Sequence, residues 1–214
     1  MNSHSFISVM AKLIDESKLH RIKEAAVELT VHEGYGGASI AAIARKAKVA
    51  AGYLYRFYAG KYELVSDLLD ETIRGITGQI EETLTHCSSI REVIEPLVQY
   101  FFDLAAADPH RVRFVYSLIN DYRFSIQPQQ LQHIQSLCSR VALLGRVRGE
   151  VDAGFREEEI YLMAVIYPIE FINIRFKELF EQAPLKESDR QRVVELIMAS
   201  LRGSANRKDS NASI

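Results

Sequence analysis

Apolar residues recur at helical spacing along almost the whole chain, and no stretch longer than a few residues alternates apolar with polar positions as a half-buried strand does. The pattern predicts an all-α fold of about nine helices. The first is expected from about Ser17 to Glu33, with Ile22, Ala25, Ala26 and Leu29 on one stripe and Gly34 ending it in a left-handed conformation. After the turn GYGGAS, Ser39 is the expected N-cap of a short second helix in which Ile40, Ile43, Ala44 and Ala47 fall at i, i+3, i+4 and i+7. A third starts at Ala50 or Ala51 and runs to Phe57 or Tyr58. The fourth begins near Lys61 and reaches about Leu84, with Leu64, Val65, Leu68, Leu69, Ile73, Ile76 and Ile80 on one face. Further helical segments are expected over 90–107, 109–122, 129–151, 157–182 and 188–202. They are separated at DPH (108–110), QPQ (127–129), DAG (152–154) and QAP (182–184), where Pro and Gly interrupt the pattern. Pro168 is expected to kink the helix that contains it. Residues 204–214 read as a disordered tail.

Two short helices behind a longer supporting one form a helix-turn-helix unit, whose second short helix enters the major groove of DNA. The helical period turns Leu54 and Tyr58 inward, onto Ile40, Ile43 and Ala47. Ala50, Ala51 and Gly52 are small, so the backbone at the start of this helix can approach base edges. Tyr53 and Arg56 then reach bases or phosphates, and Tyr55 combines an inward-leaning ring with a hydroxyl directed at a phosphate. Ser39 and Lys61 open the second and fourth helices, where unpaired N–H groups and the helix dipole favour an anion. Arg45, Lys46 and Lys48 add screened attraction, with lone lysines such as Lys46 ranked below Tyr55 and Lys61. The expected DNA-contacting set is Ser39, Arg45, Lys48, Ala50, Ala51, Gly52, Tyr53, Tyr55, Arg56 and Lys61.

Charge strengthens this picture. Residues 1–62 hold nine Lys/Arg against five Asp/Glu, and residues 63–214 seventeen against twenty-three, so a basic head precedes an acidic body. The expected domains are 1–62 for DNA binding and 63–203 for effector binding and dimerisation. Apolar residues at 48% and charged residues at 25% fit a soluble globular protein. No apolar run approaches the roughly 20 residues of a membrane span, and no secretory signal is read at the N-terminus. Cys87 and Cys138 lack CxxC spacing and read as reduced thiols, so the expected location is the cytoplasm.

The stretch IKEAAVELTVHEGYGGASIAAIARKAKVAAGYLYRFYAGKYEL, Ile22 to Leu64, resembles the DNA-binding head of tetracycline-repressor-type (TetR family) regulators. The likeness lies in the AA..L of the first helix, the Gly before a capping Ser, and IA..A.V..G.LY..F..K..L, with Tyr58 where Phe is commoner. It covers roughly the first third of the chain. The chain departs from many members in having Ala50-Ala51 where they carry Ser-Lys, and Tyr53 where Thr or Ser is usual. The resemblance implies a homodimeric repressor, bound to a palindromic operator on double-stranded DNA and released by a small-molecule effector.

Beyond Leu64 no motif fixes the chemistry. The apolar pair 157–182 and 188–202, with Ile160, Met163, Ala164, Tyr167, Phe171, Ile174, Val193, Val194, Ile197 and Leu201, is expected to divide between core and a four-helix dimer interface. Candidates for an effector pocket are Phe101, Phe102, Phe114, Tyr116, Asn120, Tyr167, Phe171 and Arg175, aromatics mixed with polar groups. HExxH, GxSxG and P-loop motifs are absent, and the six histidines show no i, i+4 pairing. No enzyme, metal or cofactor is expected. The alternative reading is a helical interaction adaptor that has lost specific DNA binding.

Overall fold

The structure, a computed structural model, describes residues 3–180 and 184–202, with side chains from Glu16 onward. The expected tail at 204–214 lies outside the described residues. Every regular element among those described is helical: α1 Ser3–Gly37, α2 Ile40–Ala47, α3 Ala51–Leu54, α4 Lys61–Leu84, α5 Arg91–Ala107, α6 Pro109–Ile119, α7 Pro128–Val147, α8 Glu157–Tyr161, a π turn Leu162–Ile166, α9 Tyr167–Phe176 and α10 Glu187–Leu201. Because α8, the π turn and α9 are contiguous, they form one interrupted helix, and the all-α expectation of about nine helices holds among the described residues.

Gly34 interrupts α1 where the sequence places its end, but through φ 70°, ψ 169° rather than an αL cap, and one more turn follows to Gly37. The helix also begins well before Ser17, at Ser3. The third helix is shorter than expected. Its regular part stops at Leu54, and i→i+3 bonds from Arg56 N–H to Tyr53 O (3.2 Å) and Phe57 N–H to Leu54 O (3.0 Å) tighten the remainder. The 109–122 segment leaves helical geometry after Ile119, because Asp121 turns to other work described below. The 129–151 segment ends at Val147, ahead of the expected DAG break. Gly149 takes φ 66°, and Glu150 N–H returns to Gly145 O at 2.8 Å, closing the helix with the bonding of a glycine C-cap. Pro168 exerts its effect one turn earlier than a simple kink: lacking an N–H, it is preceded by the π turn, in which Tyr167 N–H bonds Leu162 O.

Two compact units result, Met1–Thr72 with Arg113–Ser125, and Ile73–Val112 with Ile126–Ile214. The boundary expected at 62/63 therefore falls inside α4, whose residues up to Thr72 pack with the head. The first unit is centred on Ile22, Ala26, Ala38, Ile43, Leu54, Leu64, Val65 and Leu68, all buried. In the second, α5 packs against α9 and α10 around Ile94, Leu97, Phe101, Ile172, Val193 and Ile197. Ile160, Ala164, Val193, Val194, Ile197 and Leu201 are thus buried within a single chain and belong to its core. Met163, Tyr167, Phe171 and Ile174 stay partly exposed, and Leu162 and Leu196 stand in the open.

Candidate nucleic-acid interface

The turn between α2 and α3 is built by chain chemistry on both sides. Ser39 is extended, and its Oγ accepts the Ala42 N–H at 3.1 Å, so α2 starts on a side-chain cap. Lys48 ends it in the left-handed region (φ 56°, ψ 46°), its N–H donating to the carbonyls of Ala44 and Arg45. Ala50 starts α3 without a side-chain cap, as a residue without a side-chain acceptor must.

On this base α3 stands with its small end outward. Ala50, Ala51 and Gly52 are exposed, and a Cβ added to Gly52 meets nothing within 4 Å. Leu54 is fully buried and Tyr58 nearly so, which anchors the helix as its period requires. Tyr53 is half-buried under its own cluster: Phe57 lies 5.3 Å away between ring centroids, and the Arg56 guanidinium sits 5.1 Å from the Tyr53 ring and 5.8 Å from that of Phe57. The exposed Arg56 guanidinium thus lies within cation–π range of two rings. Tyr55 differs from its expected pose. It is 59% exposed, because only one full turn of α3 is regular and the tighter bonding after Leu54 carries its ring away from the core.

Tyr58 binds rather than merely packs. Its hydroxyl donates to Asp67 Oδ2 at 2.8 Å, and Lys23 reaches the same carboxylate at 3.2 Å as well as Glu71. This ties α1, the segment after α3 and α4 together. Burial, then the Asp67 hydrogen bond, pushes the Tyr58 hydroxyl well above the ordinary tyrosine range. For Lys23 burial acts downward, but the hydrogen bonds to Glu71 and Asp67 outweigh it and the ammonium pKa is raised.

Lys61 has an internal partner. Its Nζ donates to Tyr35 O at 2.6 Å and lies 4.2 Å from the Tyr35 ring centroid, while burial and then Arg123 lower its pKa. The same Tyr35 gives its N–H to Asp121 Oδ2 (3.1 Å) and its ring edge to Phe124, and Arg123 clasps Asp121 from Nε and Nη2 at 2.9 and 2.8 Å. Asp121 titrates far below the usual carboxylate range because Arg123 hydrogen-bonds its charged form. At the head of α4, Glu63 accepts the Ala59 N–H. Among the basic residues of α2, Lys46 is paired with Glu28 at 2.8 Å, whereas Arg45 and Lys48 are exposed.

Pattern reading missed Lys18. Its Nζ stands 5.0 Å from the Tyr53 ring, bringing a cation from α1 to the recognition helix. Only its basic character in a helix facing α3 hinted at this.

The eight effector candidates divide between the units. Phe114, Tyr116 and Asn120 belong to the first; Phe114 is fully buried, and the Asn120 amide donates to Tyr116 O at 2.9 Å. Phe101, Phe102, Tyr167, Phe171 and Arg175 belong to the second. There Phe102 and Phe171 stack at 6.3 Å, and burial raises the Tyr167 hydroxyl pKa. Arg175 donates to Asp189 at 2.9 Å and to Pro184 O at 3.3 Å, which holds the start of α10.

Residues 22–68 match the family model of the bacterial regulatory proteins of the tetR family. The chain is similar to the fatty acid metabolism regulator protein of Bacillus subtilis (strain 168), with 28% identity over 101 residues, 47% of this chain and 52% of that one. It is also similar to the HTH-type transcriptional activator FasR of Mycolicibacterium smegmatis, with 29% identity over 98 residues, 46% of this chain and 44% of that one. The match thus spans about half the length of these curated relatives. In fold it is similar to the transcriptional regulator FadR from Bacillus subtilis, solved in complex with stearoyl-CoA: TM-score 0.66, 19% identity, covering 84% of this chain and 97% of that one.

Proposed function

We propose that the chain, whose residues 22–68 match the family model of the tetR bacterial regulatory proteins, is a ligand-responsive transcriptional regulator rather than an enzyme. In this reading it acts in the cytoplasm as a homodimeric repressor, holding a palindromic operator until a small-molecule effector releases it. One observation carries the DNA-binding role. The start of α3 is exposed and free of side-chain bulk at Gly52, on a helix anchored by the buried Leu54, which supports its entry into a major groove. Tyr53 and Arg56 are the proposed base readers. Tyr55, Arg45, Lys48, Lys61 and the N-terminus of α2 at Ser39 are the proposed phosphate contacts. Two heads would read half-sites about 34 Å apart. The fatty-acid regulator among the relatives, and the stearoyl-CoA bound by one protein of similar fold, support an acyl-CoA thioester as the first effector to try. Phe102, Tyr167 and Phe171 are its nearest apolar candidates.

Fluorescence anisotropy against a palindrome from the gene's own upstream region and against random DNA tests the reading. The expected preference is about a thousandfold or more. Tyr55→Phe and Arg45→Gln should weaken binding on every sequence, Tyr53→Ala and Arg56→Ala should alter the preference, and stearoyl-CoA should weaken operator binding. Equal affinity for both DNAs would overturn sequence-specific regulation.

A further inference from the structure

Within the first unit, Lys23 is paired with Asp67 and Glu71, and Lys46 with Glu28. Lys18 is settled differently. It is half-buried and makes no hydrogen bond or ion pair among the described residues, while its Nζ stands 5.0 Å from the centroid of the Tyr53 ring. A cation within about 6 Å of a ring centroid is drawn to the negative face of the π system, and a ring has two such faces.

The ring that Lys18 meets is the hub of α3. Arg56 and Phe57 follow Tyr53 at i+3 and i+4, the spacing that makes helical neighbours. The Arg56 guanidinium lies 5.1 Å from the Tyr53 centroid, and the Phe57 centroid 5.3 Å from it. The backbone gives this group little support, because the regular part of α3 is Ala51–Leu54 and Arg56 lies beyond it, its N–H on Tyr53 O at 3.2 Å. A long exposed side chain loses rotamer freedom when it meets a base, and one already held in place loses less. Tyr53 supplies that hold for Arg56. Lys18 in turn ties Tyr53 to α1, whose Ile22, Ala25 and Ala26 are buried in the core of the same unit.

We propose that Lys18 is a specificity-determining residue of the DNA-binding face, a positioning residue that acts through Tyr53 by holding its ring against α1 and so fixing where the Arg56 guanidinium meets the bases. This role rests on the DNA-binding reading and adds to it a residue outside the helix-turn-helix. The compact charge on a flexible stem lets lysine follow the ring as the helix docks. Repulsion between Lys18 and Arg56 is screened by water and salt around the exposed guanidinium.

Fluorescence anisotropy on the upstream palindrome and on its single-base-pair variants tests the role. Lys18→Met should shift the preference about two- to fivefold at the base pairs where Arg56→Ala acts, the size of one exposed cation–π contact. It should leave the salt slope unchanged, where loss of a phosphate contact would lower it by about 2 in a dimer. Lys18→Arg should restore the wild-type preference, and Lys18→Met should add nothing in the Tyr53→Ala background. In the DNA-free chain carrying isotopically labelled lysine, the Lys18 Hε resonances should lie upfield through the ring current of Tyr53 and return to their ordinary position in Tyr53→Ala. A uniform loss on every sequence with a lower salt slope would make Lys18 a phosphate contact and overturn the proposal. So would a full effect in the Tyr53→Ala background, or Lys18 resonances at their ordinary position in the wild type. If the wild type shows no preference, the regulator reading falls and takes this proposal with it; a wild-type preference that survives Lys18→Met unchanged sinks the proposal alone.

Discussion

Tyr58 shows how one hydroxyl changes what a core position does. A phenylalanine there would fill the same space, but the tyrosine adds a bond to Asp67, which Lys23 also holds. Both groups carry a pKa raised above the unfolded value. Stability from a raised group is fully present below its unfolded pKa, and it is lost as pH rises toward the folded one, because the unfolded chain gives up its protons first. The head should therefore keep its thermal stability up to about pH 10, near the ordinary tyrosine and lysine values, and lose it as the pH rises further. Tyr58→Phe should flatten that decline, and thermal melts of both proteins across the range check it; parallel declines would place the sensitivity elsewhere. Lys48 poses the opposite case, a side chain in a backbone conformation that favours glycine. Lys48→Gly should raise stability by about 1 kcal/mol, since L-residues pay roughly that in the left-handed region. Urea unfolding measures it, and the same variant should bind all DNA more weakly through its lost charge.

Elements were legible where a local pattern decides them. Ser39 sits where an N-cap is required, Ile43, Ala44 and Ala47 of the α2 stripe are buried, and α4 runs Lys61–Leu84 as its apolar face indicates. Tertiary partners decided the rest. The length of α3 depends on tightened bonding after Leu54, and the end of α6 depends on Asp121 serving Tyr35 and Arg123 from a distant part of the sequence. Periodicity carries no signal for such partners, and it could not show that Lys61 would meet the Tyr35 carbonyl. The open face at Gly52 was legible because small residues and a buried leucine are local facts. Gly34 joins both kinds of information: composition marked it as a terminator, but its φ 70°, ψ 169° lies in a region that is essentially reserved for glycine. Gly34→Ala should destabilise the chain by about 1–3 kcal/mol from backbone strain alone. The added methyl finds only ordinary contacts, the nearest at 3.5 Å, so steric clash adds little. Chemical denaturation gives the size, and an effect below about 0.5 kcal/mol would show that the turn relaxes around alanine.

Across the whole molecule, the proposed DNA contacts count charges, and salt dependence reads that count. Lys46 is committed to Glu28 and Arg56 is assigned to the bases, which leaves Arg45, Lys48 and Lys61 as the cations proposed to meet phosphates. A phosphate neutralised by a cation releases condensed counterions, so the slope of log affinity against log salt is about −0.9 per contact on duplex DNA. Three contacts from one head predict a slope of about −2.7, whereas two heads on one operator predict about −5.4. Between about 50 and 200 mM salt that separates a loss of roughly fortyfold from one of roughly two-thousandfold. Anisotropy titrations on a full palindrome and on a half-site of the same length should give the steep and the shallow slope respectively. Arg45→Gln should reduce the steep slope by about 2 and the shallow one by about 1, because the substitution appears twice in a dimer. A shallow slope on both DNAs would mean that one head binds alone, and the homodimeric reading would fail while the recognition helix kept its role.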